Sequence, residues 1–328
     1  MTVRTFFPLV IDSTMLMEFD SCMQSGFRKY IQHLSKSGES TDLIAGGAFA
    51  KGLEVARKKY FNEDADPDQA LQEGTAALYD AYGDHVPFKE TKSVHRMALA
   101  LEMYFMEYPL GVDKVTPAKL SNGEYAIEYS FAHELPIEHP DLPGYNLIIT
   151  GRADMLGEYG GRLWCVDEKT TGSAFTQDWS KQWDTRGQFS TYTWGLQKDN
   201  IPVAGAYIRG VYMGKTSIKF NECQTTRNKF QVEMWEKQML AKVQRIIDFY
   251  KQFKERGGHP LEFFWGSWNE SCNKYFRPCT FQDMCRDKSS EMFLESQFDQ
   301  YIWLPHEQRR EQLDVFLNSL GYGDPDET

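Results

Sequence analysis

The chain has 328 residues, 41% of them hydrophobic and 14% aromatic, a globular composition long enough to bury a sizeable core. No apolar run approaches the roughly 18 residues of a membrane-spanning helix. Phe6 to Ile11 is too short, and too closely followed by Asp12, Glu18 and Asp20, for a signal peptide, so a cytoplasmic protein without membrane attachment is expected. The net charge of −11 excludes a protein that coats nucleic acid by bulk electrostatics, but not one that handles it in a local groove. The acidic run Glu63, Asp64, Asp66 and Asp68 and the tail residues Asp324, Asp326 and Glu327 read as solvated faces.

Residues 13 to 34 have helical spacing, with Met15, Leu16, Phe19, Met23, Phe27 and Tyr30 recurring on one face and Ser13 as the expected cap. Asp42 is expected to cap a second helix that runs to Tyr60. Asp66 and Pro67 open a third helix, to Tyr82, because an acidic cap followed by proline suits a first helical turn. A fourth helix spans 88 to 106. Strands are expected at 125–134, 146–155 and 163–169, a helix at 178–197, a strand at 203–213 and a long amphipathic helix at 227–254. Helices, three strands, helix, strand, helix is the order of an α/β protein with a mixed central β-sheet flanked by helices, the early helices forming an N-terminal lobe.

Chemistry concentrates between residues 151 and 170. Gly151-Arg152-Ala153-Asp154 ends one apolar strand, and Val166-Asp167-Glu168-Lys169-Thr170 ends the next, with Gly157, Gly160 and Gly161 supplying hairpin turn chemistry. Side chains alternate along a strand, so Asp167 and Lys169 face one way and Glu168 the other. Trp164, Cys165 and Val166 make the approach to Asp167 apolar, and charges at the exit of a buried strand require a partner or a metal. Two carboxylates beside an ammonium suit metal-assisted phosphodiester hydrolysis; a D-x-K triplet alone is a common surface pattern. Glu128 lies in an alternating segment, Tyr125 to Phe131, and taken alone reads as solvent-facing. Gln188 and Tyr192, four apart, project from one helix face, where they suit the orientation of a phosphate or a water; helix surface plus core aromatic is the bland alternative.

Glu128, Gly151 to Asp154, Asp167-Glu168-Lys169-Thr170 and Gln188 to Tyr192 together resemble, in order and spacing, the PD-(D/E)XK nuclease superfamily. The closer resemblance is to its RecB-like exonuclease branch, which includes CRISPR-associated and phage-encoded members. The resemblance covers about residues 13 to 290. It implies a restriction-endonuclease-like core and a cleft for a nucleic-acid strand. It also implies a Mg²⁺- or Mn²⁺-dependent deoxyribonuclease acting on single-stranded DNA or duplex ends, in recombination, repair or phage DNA metabolism. Location would be the host cytoplasm if phage-encoded, with a recombination or CRISPR-type protein as a possible partner. Asp154, Asp167 and the carbonyl of Glu168 would hold the metal, Glu128 would complete its shell through water, Lys169 would orient the attacking water or offset charge, and Gln188 and Tyr192 would support them. In one respect the chain departs from the branch: Gly46 to Lys51 carries Ala50 where a metal-binding histidine is expected.

Six cysteines in a chain of this kind read as thiols or ligands rather than disulfides. Cys272, Cys279 and Cys285 cluster in a short stretch and can bind a soft metal centre that leaves one position open, for which Cys22 is the candidate. One early cysteine and three late ones, bracketing the core, resemble the iron–sulfur members of the RecB-like branch and imply a structural [4Fe–4S] cluster; a zinc site and four independent thiols are the competing readings. Cys165 and Cys223 read as core residues. The expected domains are 1–110, a helical lobe carrying one cluster cysteine; 111–258, the nuclease core; and 259–328, the cysteine-cluster segment and tail. Two other functions compete with the nuclease: a nucleic-acid-binding or assembly module on the same fold with weak or no cleavage, and a zinc-stapled interaction protein. Arg28, Arg152, Lys181 and Arg186 are possible phosphate contacts, with surface solvation the simpler account of each.

Overall fold

Three strands with runs of consecutive buried residues, 147–151, 164–167 and 205–211, organise the sheet, because a strand buried on both faces must lie inside it. The computed structural model describes residues 3–36, 40–268, 270–274 and 277–302. Asp324, Asp326 and Glu327 lie outside the described residues. In chain order the elements are β1 (Val10–Asp12), α1 (Ser13–Ser21), α2 (Met23–Gly26), β2 (Leu34–Lys36), α3 (Thr41–Asn62), α4 (Pro67–Tyr82), α5 (Val94–Glu107), β3 (Thr116–Pro117), β4 (Ile127–Glu138), β5 (Asn146–Tyr159) and β6 (Arg162–Thr171). Then follow α6 (Gln177–Lys181), α7 (Gly187–Lys198), β7 (Val203–Met213), β8 (Ile218–Thr226), α8 (Lys229–Arg256), the two-residue strands β9 (Asn273–Lys274) and β10 (Arg277–Pro278), α9 (Gln282–Arg286), α10 (Leu294–Gln297) and β11 (Phe298–Gln300).

The fold is α/β, with a mixed seven-stranded sheet ordered β1-β5-β6-β7-β8 and with β3 and β4 also paired to β5. β1 is parallel to β5 and β6 to β7, whereas β5–β6 and β7–β8 are antiparallel. The β5–β6 hairpin forms as expected. Gly160 and Gly161 take φ of 58° and 70°, the positive values a mirror-image two-residue turn needs, and Tyr159 pairs with Arg162 across them. Gly157 is not a turn residue but a strand residue, where a Cβ would stand 2.7 Å from both Val115 and Val166.

Several expected elements shift. Asp12, not Ser13, caps the first helix, accepting a hydrogen bond from Met15 N at 2.8 Å. The helix expected over 13–34 breaks at Cys22, whose extended backbone separates α1 from α2. Asp42 lies in the first turn of α3, after its N-cap Ser40. Asp66 caps α4 as expected, accepting from Asp68 N and Gln69 N. α5 starts at Val94, after a 3₁₀ turn at Glu90–Lys92, and the helix expected over 178–197 is two helices, α6 and α7. β1 and β8 carry no counterpart in the sequence reading: β1 is three residues long, and β8 has only a weak alternation of burial.

By compactness the chain forms two discontinuous units, one of Met1–Gly38, Phe131–Gly151 and Glu233–Thr328, the other of Glu39–Ser130 and Arg152–Val232. In the second unit α3, α4 and α5 pack on β7 and β8 through Phe49, Leu53, Leu78, Met97, Leu101 and Val211. α3 and α4 approach closely at Gly52 and Gly74: a Cβ on Gly74 would stand 2.6 Å from the Gly52 carbonyl. The first unit has its own apolar clusters, one around Phe6, Leu9, Val10 and Ile148 and one around Leu34, Phe281, Met284 and Phe298. No helix among the described residues is long and apolar enough to cross a membrane.

Candidate active site

All six residues singled out around the acidic corner, and Glu168 with them, fall in the unit built from Glu39–Ser130 and Arg152–Val232. β6 carries Asp167, Glu168 and Lys169 through the sheet, and its alternation separates two charged systems. On one face Asp167 Oδ2 lies 2.6 Å from Lys169 Nζ in an ion pair. Asp167 Oδ1 accepts from Gln188 Nε2 at 3.0 Å, and the same amide donates to the Tyr192 hydroxyl at 3.0 Å. The helical spacing of Gln188 and Tyr192 thus brings both to one place, and their first partner is the Asp167 carboxylate. Asp154, on β5, accepts from the Glu168 backbone N–H at 2.8 Å, which ties the two strands at this point.

The Glu168 side chain belongs to the other system. It accepts from Arg57 Nη1 at 3.3 Å, Arg57 Nη2 at 2.5 Å and the Tyr104 hydroxyl at 2.8 Å. Arg209, its register partner on β7, donates to Tyr104 at 3.2 Å and holds Asp113 with two hydrogen bonds of 2.7 and 2.8 Å. Both arginines are buried. The Glu168 side chain is thereby engaged away from Asp167 and Lys169.

Glu128 is not a solvent-facing strand residue. Its φ of 56° places a non-glycine residue in the left-handed region, which costs about 1–3 kcal/mol and persists only where surroundings enforce it. The turn leaves its side chain 10% exposed, with Oε2 2.7 Å from Arg152 Nε but without a hydrogen bond. Glu54 on α3 and Glu168 both act on it electrostatically.

Charge is unevenly balanced between the two systems. Burial raises Glu168, but Arg57 and Arg209 outweigh it and hold the carboxyl at about 2. On the other face burial raises Asp154 well above the usual carboxylate range, helped by Asp167 and Glu168. Burial also raises Asp167 in spite of Lys169, and it pushes Glu128 up to about 7. Burial lowers Lys169, but Asp167 and Asp154 more than offset it, so the ammonium keeps its proton. Three buried carboxylates with too little positive charge around them have the chemistry that suits a hard cation. Among the described residues no three His, Cys, Asp or Glu side chains stand close enough together to hold a metal ion by themselves.

Glu54, Arg57, Tyr104 and Arg209 escaped the sequence reading. On α3 Gly46, Ala50, Glu54 and Arg57 follow one another at helical spacing. A Cβ on Gly46 would stand 3.7 Å from Thr170 Oγ1, Glu54 acts on Glu128 and Arg57 binds Glu168. Ala50 therefore lies on the stripe that faces the site, and the i, i+4 step from it to Glu54 was a signal available in the sequence. Of the four possible phosphate contacts, Arg28 is wholly buried and paired with Glu291 rather than solvated, and it belongs to the other unit. Arg152, Lys181 and Arg186 are exposed, and Arg186 acts on both Asp167 and Lys169.

The four bracketing cysteines fall together in the first unit. Cys272 O accepts from Cys279 N at 2.8 Å. Burial raises the Cys279 thiol and pushes Cys285 up to about 11, and Cys22 and Cys272 add to both. Cys165 is wholly buried in the second unit, as expected of a core residue, and Cys223 is half-buried there.

A family model described as the PD-(D/E)XK nuclease superfamily matches residues 14–286. No curated protein matches the chain. Among solved structures the chain is similar to one named "Crystal structure of SSO0001", at 12% identity and a TM-score of 0.28, over 72% of this chain and 84% of that one.

The raised Glu128 carboxyl gives a pH-dependent expectation. Its folded value of about 7 lies above the ordinary 4.5, so the folded protein is penalised progressively as pH rises between them. Glu128→Gln in divalent-free buffer should raise the stability of the protein at about pH 8 by ~2–3 kcal/mol, with the gain vanishing near the ordinary carboxylate value. Denaturant unfolding at the two pH values checks this; a loss of stability at the higher pH contradicts it.

Proposed function

The chain belongs to the PD-(D/E)XK nuclease superfamily, and on that premise we propose that it is a Mg²⁺- or Mn²⁺-dependent deoxyribonuclease, of the RecB-like exonuclease type, with a structural [4Fe–4S] cluster. The observation that carries the reading is the buried, under-neutralised carboxylate pair Asp154 and Asp167 beside a lysine that stays charged. Asp154, Asp167 and the Glu168 carbonyl would hold the divalent ion, with Glu128 joining through water. When bound, that ion supplies a Lewis acid that lowers the pKa of a water and offsets charge on the phosphate.

The chain's own residues have separable tasks in this reading. Lys169, protonated at neutral pH, is unsuited to accept a proton; it would orient the attacking water and offset negative charge developing on the phosphate. Gln188 would fix the rotamer of Asp167, with Tyr192 as its second partner. Arg186 and Arg152, both exposed, would meet the phosphates of a single strand or a duplex end. Recombination, repair or phage DNA metabolism would be the setting, with a recombination or CRISPR-type protein as partner.

Four thiols in one unit, two of them responding to the charges of the others, support a cluster held by Cys22, Cys272, Cys279 and Cys285. Cys22 stands at the break between two helices, where the backbone is extended and its thiol is half-buried. Such a cluster would tie the early and late segments of the chain together without redox turnover.

Ala50 favours a second reading, a nucleic-acid-binding or assembly module with weak cleavage, because alanine gives the stripe facing the site no ligand. Three measurements separate the readings. Cleavage of single- and double-stranded DNA with Mg²⁺ or Mn²⁺ should be lost about 100-fold or more in Lys169→Ala, since charge stabilisation of this kind carries that much rate; equal cleavage by variant and wild type sinks the assignment. Ala50→His should tighten Mn²⁺ binding, followed by calorimetry, by about tenfold. Protein purified anaerobically should be brown and contain iron and acid-labile sulfide in equal amounts; a colourless protein with stoichiometric zinc would replace the cluster by a zinc site.

A further inference from the structure

The first unit presents a face that the acidic corner does not explain. Along α8, Trp235, Lys242, Arg245 and Phe249 recur at steps of seven, three and four, one stripe of a helix. Lys242 Nζ stands 5.5 Å from the Trp235 ring centroid, and Arg245 Cζ stands 5.5 Å from Phe249 and 5.2 Å from Trp265. Phe249 and Trp265 meet edge to face with centroids 5.0 Å apart. The loop after α8 is fastened: Gln24 N donates to the Trp265 carbonyl at 3.2 Å, and Ser267 Oγ donates to the Ser21 carbonyl at 2.6 Å. At its end Trp268 has φ 51° and is 65% exposed, while Trp265 is 44% exposed. A Cβ at Gly266 would stand 3.2 Å from the Trp268 ring, so glycine lets the indole lie close over the chain.

A tryptophan in a left-handed conformation, presented to solvent, is costly twice over, in backbone strain and in exposed apolar area. We propose that Trp265 and Trp268, with Arg245, form a stacking platform for the bases of a single-stranded nucleic acid. Charge supports that occupant. The part of α8 within this unit, from Glu233 to Arg256, holds six Lys or Arg against four Asp or Glu, in a chain whose net charge is −11. Lys242 is paired with Asp20, but among the described residues no carboxylate pairs with Arg245, which leaves its guanidinium for a phosphate or a base face. Aromatic faces beside unpaired cations are how single strands are held without sequence preference. The proposal rests on the nuclease reading for its choice of ligand, but on a different unit and different residues for its evidence of a surface.

The test uses the full-length protein carrying Asp167→Asn, without divalent cations, and two fluorescent probes: an oligo(dT) strand and an abasic strand of the same length. Anisotropy should show oligo(dT) bound about tenfold more tightly than the abasic strand, with that advantage removed by the pair Trp265→Ala and Trp268→Ala. Arg245→Ala should weaken both strands and reduce the salt dependence of binding. Trp268→Ala alone, at an exposed position, keeps the fold and should still lose several-fold in affinity. Equal affinity for the two strands, or oligo(dT) binding untouched by the tryptophan variants, overturns the platform. Hydrolysis of bis(p-nitrophenyl) phosphate by the wild-type protein reports the catalytic reading separately. If that hydrolysis and DNA cleavage are absent while tryptophan-dependent binding remains, the nuclease reading falls and the platform stands.

Discussion

Consecutive carboxylates on a central strand set the terms for the unit that contains the site. Asp167 and Glu168 are adjacent on β6, and the pleat sends them to opposite faces, so each must be neutralised by different neighbours. Burying an ion costs several kcal/mol unless partners and hydrogen bonds compensate it. For Glu168 they do so fully, through Arg57 and Tyr104, with Arg209 bridging Tyr104 and Asp113. This clamp joins α3, α5, β6 and β7, so the helical layer and the sheet are registered to one another by the same charges that hold β6 in place.

The other face is left short of positive charge. Lys169 is the nearest ammonium to Asp167, and Arg152 pairs with Glu128, yet burial keeps all three acids above their usual range. The difference between the faces is physical rather than one of composition: the same strand bears a carboxylate held at about 2 and another raised by its surroundings. A structural ion pair needs the first condition; a site that must accept a divalent cation needs the second.

Much of this was legible in sequence, and the reasons differ by element. The β5–β6 hairpin announced itself through two glycines able to take positive φ, and α4 through an acid and a proline in the order a first turn requires. Asp154, Asp167 and Lys169 were readable because hairpin pairing and strand alternation are local rules. Glu128 was singled out for the site, but the solvent-facing strand position that its segment taken alone suggests does not hold, since alternation fails where φ turns positive. Arg57, Tyr104 and Arg209 were invisible because nothing local marks an arginine or tyrosine whose partners in the clamp lie 47 to 111 residues away, and burial made them essential only once the fold was formed.

The acidic net charge and the nucleic-acid reading are compatible because charge acts over short distances. At physiological ionic strength exposed charges are screened beyond about 8 Å, so a polyanion senses the residues it touches rather than the total. Here the carboxylates of the site are buried and partly offset by Lys169 and Arg152, while Arg152 and Arg186 are exposed. Some of the remaining acid is held in ion pairs among helices, as with Glu54 on Lys51 and Lys58, and Glu63 and Glu73 on Lys59. What a strand would meet is therefore decided by a few exposed cations and aromatic faces. An acidic chain can present these as well as a basic one, and with less tendency to hold nucleic acid where it does no chemistry.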